Sequence, residues 1–501
     1  MSFENTGGER RHIAIDLGAS SGRVMEVRVS ADSLAVRELH RFANAPVAAS
    51  RTGNVRLCWP FESMFEHILE GLRRAAEDGE VDSIGVDSWA VDYALVDDEG
   101  ELVRPIAAYR DARTQEPFVR MRETLGDATI YGATGIAFQP FNTLYQLAAD
   151  AADPIRPFER AQRMLMLPDF VAHRLCGSSA CERTNASSTQ MLDTHTRAWS
   201  RQLVAAAGVP ARVLPALVDA GSSEPLGTLL HEIADETGLP ASTPVIATAT
   251  HDTAAAVVAA PIDPKHDLYV SSGTWSLVGA ELPRAVVSDA ARAANITNEL
   301  GAFGTVRFLK NVAGLWLVQQ CEAAFERAGH ARSWAELEQL ARGAEPLRSI
   351  VDPNDTAFFE PGDMPARIRA ACAARGEPVP ESDAAVIRCA LDSVALATAQ
   401  AAREVASIAS LDARRIVIVG GGSANALLNQ LIADASGLPV EAGPTECTAI
   451  GNALMQYAAL EGIASAAPLR DIVRRSSALR RFEPDFHATS RMRAAAARLV
   501  R

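Results

Sequence analysis

Two widely separated stretches of this chain share one pattern, and that repetition constrains the fold more than any other feature. The first reads as an apolar strand, His12-Ile-Ala-Ile-Asp16, a turn of small residues, Leu17-Gly-Ala-Ser-Ser21, and a second strand, Arg23-Val-Met-Glu-Val-Arg-Val29, that alternates with period two. The second, Leu268-Tyr-Val-Ser-Ser-Gly-Thr-Trp-Ser-Leu-Val278, is again strand, small-residue turn, strand. After the first hairpin the pattern predicts a strand over 33–42, a helix over 60–76, and short strands over 84–87 and 93–96. In that helix Phe61, Met64, Phe65, Ile68, Leu69 and Leu72 recur at helical spacing. Around the second hairpin it predicts strands over 244–250, 302–309 and 415–419, with a long helix over 383–409. Sheets seeded by hairpins and covered by helices make an α/β protein of two related domains, 1–246 and 247–501, with a cleft between them.

Each small-residue turn has a chemical use and a plain structural one. In Asp16-Leu-Gly-Ala-Ser-Ser-Gly-Arg23, successive backbone N–H groups suit a phosphate, Ser20 and Ser21 add hydroxyls, Arg23 adds charge, and Asp16 is placed to hold Mg²⁺. An empty hairpin explains the same letters. They also match the G-x-S-x-G nucleophile elbow, but that motif requires a strand-to-helix turn, and Val24–Val29 reads as strand. Ser271-Ser-Gly-Thr-Trp-Ser276 gains meaning from echoing the first turn. Gly420-Gly-Gly-Ser-Ala-Asn425 follows a buried strand and permits close approach of a flat ligand, or simply tight packing. In Thr250-His-Asp-Thr253, Asp252 stands at the start of a small-residue helix, where it is either a cap or a general base. The segments 87–92, 109–113 and 139–145 mix aromatic and hydrogen-bonding residues, as sugar sites do and as ordinary loops over a core do.

Composition removes several function classes. Lys and Arg number 48 against 62 Asp and Glu, a net charge of −14, which disfavours nonspecific binding to nucleic acid or an anionic membrane. Only Lys265 and Lys310 are lysines, and neither sits in Gly-Lys-Ser/Thr, so any bound nucleotide is not held by a P-loop. The seven cysteines include no CxxC pair and read as free thiols of a reducing cytoplasm. The N-terminal residues show no secretory signal, and no uncharged run is long enough to span a membrane. Oligomeric state is not legible.

Taken together, these segments resemble the FGGY carbohydrate kinase family from about residue 11 to about residue 460. In the first half the likeness rests on the Asp16–Met25 turn, Ala108-Tyr-Arg-Asp111 and Pro140-Phe-Asn-Thr-Leu-Tyr-Gln-Leu147. In the second it rests on Thr250–Thr253, Ser271–Ser276, Asn295-Ile-Thr-Asn-Glu299, Lys310-Asn311 with Gly314-Leu-Trp316, and Gly420–Gly422. The resemblance implies an actin/hexokinase-type (ribonuclease H-like) fold in which two domains flank a catalytic cleft. It implies that Ala19, Ser20, Ser21, Gly22 and Arg23 meet the phosphates of ATP, and that Thr274, Gln319 and Gly421 complete the nucleotide site. Asp252 is implied as the proton acceptor, with Ala90, His251, Thr253 and Asn311 on the sugar. The segments at 140–145 and 295–299 are the most specific and imply phosphorylation of the 1-hydroxyl of L-rhamnulose, with another ketose such as L-fuculose as the alternative. The family usually has glycine where Ala90 stands. Cys372 and Cys389 stand at positions paired in some members, and a reducing cytosol is expected to keep them thiols. A slow ATPase switch of the actin type would share the turns, but not the polar-aromatic loops between residues 87 and 145.

Overall fold

A computed structural model describes residues 8–51 and 54–499. Contacts divide the chain into two compact units, each discontinuous in sequence. The first comprises residues 1–259, 282–307 and 447–476; the second comprises 260–281, 308–446 and 477–501.

The first unit is built on a six-stranded sheet of β1 (Arg10–Leu17), β2 (Ser21–Val29), β3 (Leu34–Ala43), β4 (Ser83–Ser88), β5 (Gly227–Thr228) and β6 (Pro244–Ile246). Their order is β5-β6-β4-β1-β2-β3. β1, β2 and β3 form an antiparallel meander, β4 and β6 run parallel to β1, and β5 closes the far edge antiparallel. Helix α1 (Phe61–Glu77) buries Phe61, Met64, Phe65, Ile68, Leu69 and Leu72 against this sheet, the stripe its periodicity predicts. On α2 (Asp252–Ala259) every residue after Asp252 is buried, and it packs along α3 (Cys447–Glu461), which also touches β1, β2 and β4. A Cβ on Gly451 of α3 would lie 1.8 Å from the Ala255 carbonyl oxygen, so only glycine lets the two helices approach this closely. Contact with α3 keeps residues 247–259 in the first unit, whereas the sequence pattern placed a single cut at 246.

The second sheet has seven strands: it repeats the plan with β7 (Asp267–Ser272), β8 (Trp275–Leu282), β9 (Val306–Ala313), β10 (Arg415–Val419), β11 (Val440–Ala442) and β12 (Arg480–Phe482), in the order β9-β8-β7-β10-β11-β12, and adds Thr297–Leu300 at the edge beyond β9. β7 pairs antiparallel with β8 and parallel with β10; β11 continues parallel and β12 closes antiparallel. The two hairpins seen in the sequence therefore hold the same place in two sheets that share one order over six strands. That is the α/β architecture the repeated pattern implied.

The strand expected over 302–309 is shifted. Ala302–Gly304 forms a short 3-10 turn in which Phe303 and Gly304 both take positive φ, 54° and 75°, so extended structure begins at Val306. The helix Asp383–Ala409 spans the expected residues. It is the one described helix long and apolar enough to cross a membrane, with a mean hydropathy of 1.3 over its most apolar window. As 78% of that window is buried inside the protein, it is a core helix. All seven cysteines are free, and the sulfurs of Cys372 and Cys389 stand 4.0 Å apart.

Candidate active site

β1 ends on Leu17, one residue after Asp16, and the chain reverses through Gly18–Ser20, where Gly18 N–H donates to the Ser21 carbonyl at 2.9 Å. Asn44 fastens the outside of the turn: its N–H donates to Ser20 O at 3.0 Å and its Nδ2 to Gly18 O at 2.9 Å. With those carbonyls engaged, the N–H groups of Ala19 and Ser20 have no acceptor among the described residues. Gly22 lies under Phe42, where a Cβ would come 2.2 Å from the ring. Arg23, directly across the ladder from Asp16, donates to Asp16 Oδ2. The turn is thus strand-to-strand, which disposes of the nucleophile-elbow reading.

Beside Asp16, in the parallel register of β1 with β4, stands Asp87. It is fully buried; Oδ2 accepts from Asn452 Nδ2 at 2.6 Å, while Oδ1 has no partner. Burial first, and then the charge of Asp16, push the Asp87 carboxyl well above the usual carboxylate range, with Asn452 opposing. Asp252 adds a third, smaller electrostatic contribution. No three His, Cys, Asp or Glu side chains converge as metal ligands among the described residues. Asp16, near the end of β1 just before the turn and paired with Arg23, is the carboxylate that would contribute to holding Mg²⁺. That ion commonly binds through one or two carboxylates, phosphate oxygens and water rather than an all-protein cage.

Asp252 begins α2, and its Oδ1 is already occupied. It accepts from Thr253 N at 2.5 Å and from Thr253 Oγ1 at 3.1 Å, and His251 Nε2 lies 3.3 Å away. Oδ2 has no partner among the described residues, and the side chain is 33% exposed. The segment in front of it is anchored by a buried carboxylate. Glu182 accepts from Thr250 N and Thr250 Oγ1, both at 3.0 Å, and from Thr184 N at 2.8 Å and Thr184 Oγ1. Thr184 Oγ1 in turn accepts from His251 N at 3.3 Å. Burial raises the Glu182 carboxyl against these four donors.

Ala90 sits in the loop that follows β4. Ser88 N donates to Thr250 O at 2.9 Å and Trp89 N to Leu17 O at 3.2 Å, which ties this loop to both the Asp252 segment and the end of β1. Val91 takes a φ of 72°, strained for a β-branched residue, with its carbonyl gripped by Thr143 Oγ1 at 2.7 Å and Gln146 Nε2 at 3.1 Å. Asp92 is the hub: it accepts from Trp59 Nε1 at 2.6 Å, Trp89 Nε1 at 2.9 Å, Tyr109 N at 3.2 Å and Gln146 Nε2 at 3.1 Å. The three polar-aromatic segments of the sequence therefore meet around one carboxylate. Tyr145, by contrast, is wholly buried edge-on against Phe118 and belongs to the core.

In the second unit, Thr274 lies in the β7–β8 turn, clasped by Gly314 N and Trp316 N on its carbonyl, both at 3.2 Å, and donating from Oγ1 to Gln319 Oε1 at 3.2 Å. Gly420–Gly422 follows β10 and packs on the same turn: a Cβ on Gly422 would meet Ser272 Oγ at 2.0 Å, whereas beside Gly421 there is open space. Thr274, Gln319 and Gly421 thus belong to one unit and surround one hairpin. Asn311 is on β9 with its Oδ1 buried and without a hydrogen-bond partner among the described residues.

Reasoning from sequence missed Asp87, Glu182 and Arg307. Arg307 had a signal: a charge inside the apolar run Val306-Arg-Phe-Leu309 must either break the strand or find buried partners. Its guanidinium is wholly buried, 2.9 Å from His251 Nδ1 and 3.0 Å from Glu299 Oε2.

A duplicated sheet bearing two small-residue hairpins, with a one-third-exposed carboxylate at a helix start, places the chain among two-domain α/β proteins of actin/hexokinase-type fold. Residues 12–259 match the N-terminal domain model of the FGGY family of carbohydrate kinases, and residues 268–460 match its C-terminal domain model. The chain belongs to the FGGY family of carbohydrate kinases, enzymes that transfer a phosphoryl group to a sugar hydroxyl. It is 40% identical to "Rhamnulokinase" of Klebsiella pneumoniae (strain 342) over 95% of each chain. It is 41% identical to "Rhamnulokinase" of Pectobacterium carotovorum subsp. carotovorum (strain PC1) over 94% of this chain and 92% of that one. Among solved structures it resembles gluconate kinase from Lactobacillus acidophilus, with a TM-score of 0.79 at 14% identity over 98% of this chain and 96% of that one. The ligand-bound xylulose kinase of the same organism gives 0.78 at 14% over 97% and 96%. Both show the two-domain fold.

Proposed function

We propose that this enzyme phosphorylates the 1-hydroxyl of L-rhamnulose with ATP, yielding L-rhamnulose 1-phosphate and ADP, a step of L-rhamnose degradation in the cytoplasm. The near-full-length likeness to proteins named rhamnulokinase supports the choice of sugar. The chemistry rests on one observation: Asp252 Oδ1 accepts from Thr253 N and Thr253 Oγ1, while Oδ2 has no partner among the described residues.

In this reading Oδ2 takes the proton of the sugar O1 as that oxygen bonds to the γ-phosphorus and the bond to the ADP oxygen breaks. The bare N–H groups of Ala19 and Ser20, with Ser21, Gly22 and Arg23, receive the phosphates. Thr274, Gln319 and Gly421 hold the rest of the nucleotide, the open space at Gly421 admitting a flat ring. His251, Thr253, Asn311 and the Ala90 loop hold the sugar; the buried acceptor of Asn311 suits a hydroxyl. Bound beside Asp16, Mg²⁺ would supply neutralising charge to the triphosphate oxygens. Seven free thiols accord with the cytoplasm, where ATP is abundant.

Sugar-dependent ADP release across L-rhamnulose, L-fuculose, D-xylulose and glycerol tests the reading. The expected result is a kcat/KM for L-rhamnulose at least about tenfold above the others. A preference for another ketose overturns the sugar assignment, and ATP turnover indifferent to every sugar overturns the phosphotransfer assignment.

A further inference from the structure

His251 lies between two carboxylates and one guanidinium. Nε2 is 3.3 Å from Asp252 Oδ1, while Nδ1 is 3.2 Å from Glu299 Oε2 and 2.9 Å from Arg307 Nη2. The ring is buried, so its proton arrangement is set by these neighbours and not by bulk water. Left to the carboxylates alone, the imidazole has a choice: a proton on Nδ1 serves Glu299, a proton on Nε2 serves Asp252. Arg307 removes the choice. A guanidinium has donors and no acceptor, and its N–H is directed at Nδ1, so a proton on Nδ1 would oppose two N–H groups.

Arg307 itself cannot turn away. It is wholly buried, its Nε donates to Leu300 O at 3.2 Å, and Nη2 is 3.0 Å from Glu299 Oε2. Glu299 stays ionised to hold it: burial would lift that carboxyl, but the charge of Arg307 opposes burial and the carboxyl lies below its ordinary value.

We infer that Arg307 is a positioning residue for phosphoryl transfer, fixing His251 as the Nε2–H tautomer so that it donates to Asp252 Oδ1 and leaves Oδ2 as the acceptor. The inference rests on the assignment of Asp252 as the proton acceptor. With Oδ1 accepting from Thr253 N and Thr253 Oγ1, and His251 Nε2 3.3 Å away to add to them, the carboxylate is held in one rotamer and its free oxygen has one direction. Loss of the guanidinium returns the ring to the Nδ1–H form facing Glu299, and its Nε2 lone pair then opposes Asp252. Such supporting contacts are typically worth about 10- to 100-fold in activity.

The test joins a spectroscopic readout to kinetics on the full-length protein. Long-range ¹H–¹⁵N correlation spectra of the imidazoles, with His251 assigned by its loss in His251→Asn, are expected to show Nε2 protonated and Nδ1 bare in the wild type. Arg307→Met is expected to shift the ring toward Nδ1–H and to lower kcat about 10- to 100-fold, with KM for the sugar changing less. Arg307→Lys, which retains a donor and a charge for Glu299, is expected to restore the tautomer and part of kcat. A wild-type spectrum with Nδ1–H overturns the proposal without any variant, as does Arg307→Met with unaltered kcat. Should Arg307→Met fail to fold, the wild-type spectrum and Arg307→Lys decide. Absence of sugar-stimulated ADP release in the wild type would instead defeat the kinase reading, and the tautomer would still be measured.

Discussion

Asp87 stands directly beside Asp16 across β1 and β4, and the donor that steadies it, Asn452, comes from a helix more than 360 residues further along the chain. Asn452 gives Nδ2 to Asp87 at 2.6 Å while its Oδ1 accepts from Gln456 Nε2 at 2.7 Å. Asn452→Ala leaves a buried carboxyl beside a second carboxylate without the donor that Asn452 supplies. The expected cost is about 3 kcal/mol of stability, read as a lowered midpoint in urea with an unchanged slope.

A pH prediction attaches to Asp169, which is buried beside Glu182 and accepts from Glu182 N at 3.1 Å. Burial pushes its carboxyl from 3.8 up to about 8. The folded state therefore binds this proton more tightly than the unfolded chain does. Its contribution to stability is complete below pH 3.8 and is lost as pH rises toward 8, at up to about 1.4 kcal/mol per pH unit. Asp169→Asn keeps an acceptor for Glu182 N and removes the ionisation. Unfolding free energies measured from pH 4 to 8 should move steadily in the variant's favour relative to wild type; a constant difference would contradict the assignment.

Gly422 tests the second hairpin. Its α-carbon is packed on Ser272, so Gly422→Ala forces the Gly420–Gly422 turn away from β7 at about 1–3 kcal/mol and should raise KM for ATP more than KM for the sugar. Pairing it with Ser272→Gly, which vacates the contested space, should recover most of the loss.

Legibility from sequence followed the range of the interactions. The hairpins, α1 and the helix Asp383–Ala409 were readable because local turn chemistry and period specify them. So was the gathering of Thr274 with Gln319, through resemblance if not through spacing. Unreadable were the partners that arrive from a distance: Arg307 onto His251, Glu182 onto Thr250, Asn452 onto Asp87. Each is a polar residue within an otherwise ordinary element, and nothing local announces which buried charge it will meet. The return of residues 447–476 to the first unit is of the same kind, recorded by the close packing of Gly451 on Ala255 and by the contacts of α3 with β1, β2 and β4.

The central claim is that the bare oxygen of Asp252 accepts the proton of the sugar hydroxyl. Steady-state kinetics of Asp252→Asn measures it most directly, because the amide keeps the size and the Oδ1 contacts of the side chain while removing its basicity. The account predicts a kcat lowered by at least about 10²-fold with binding of L-rhamnulose retained. An Asp252→Asn enzyme that turns over at the wild-type rate would contradict it.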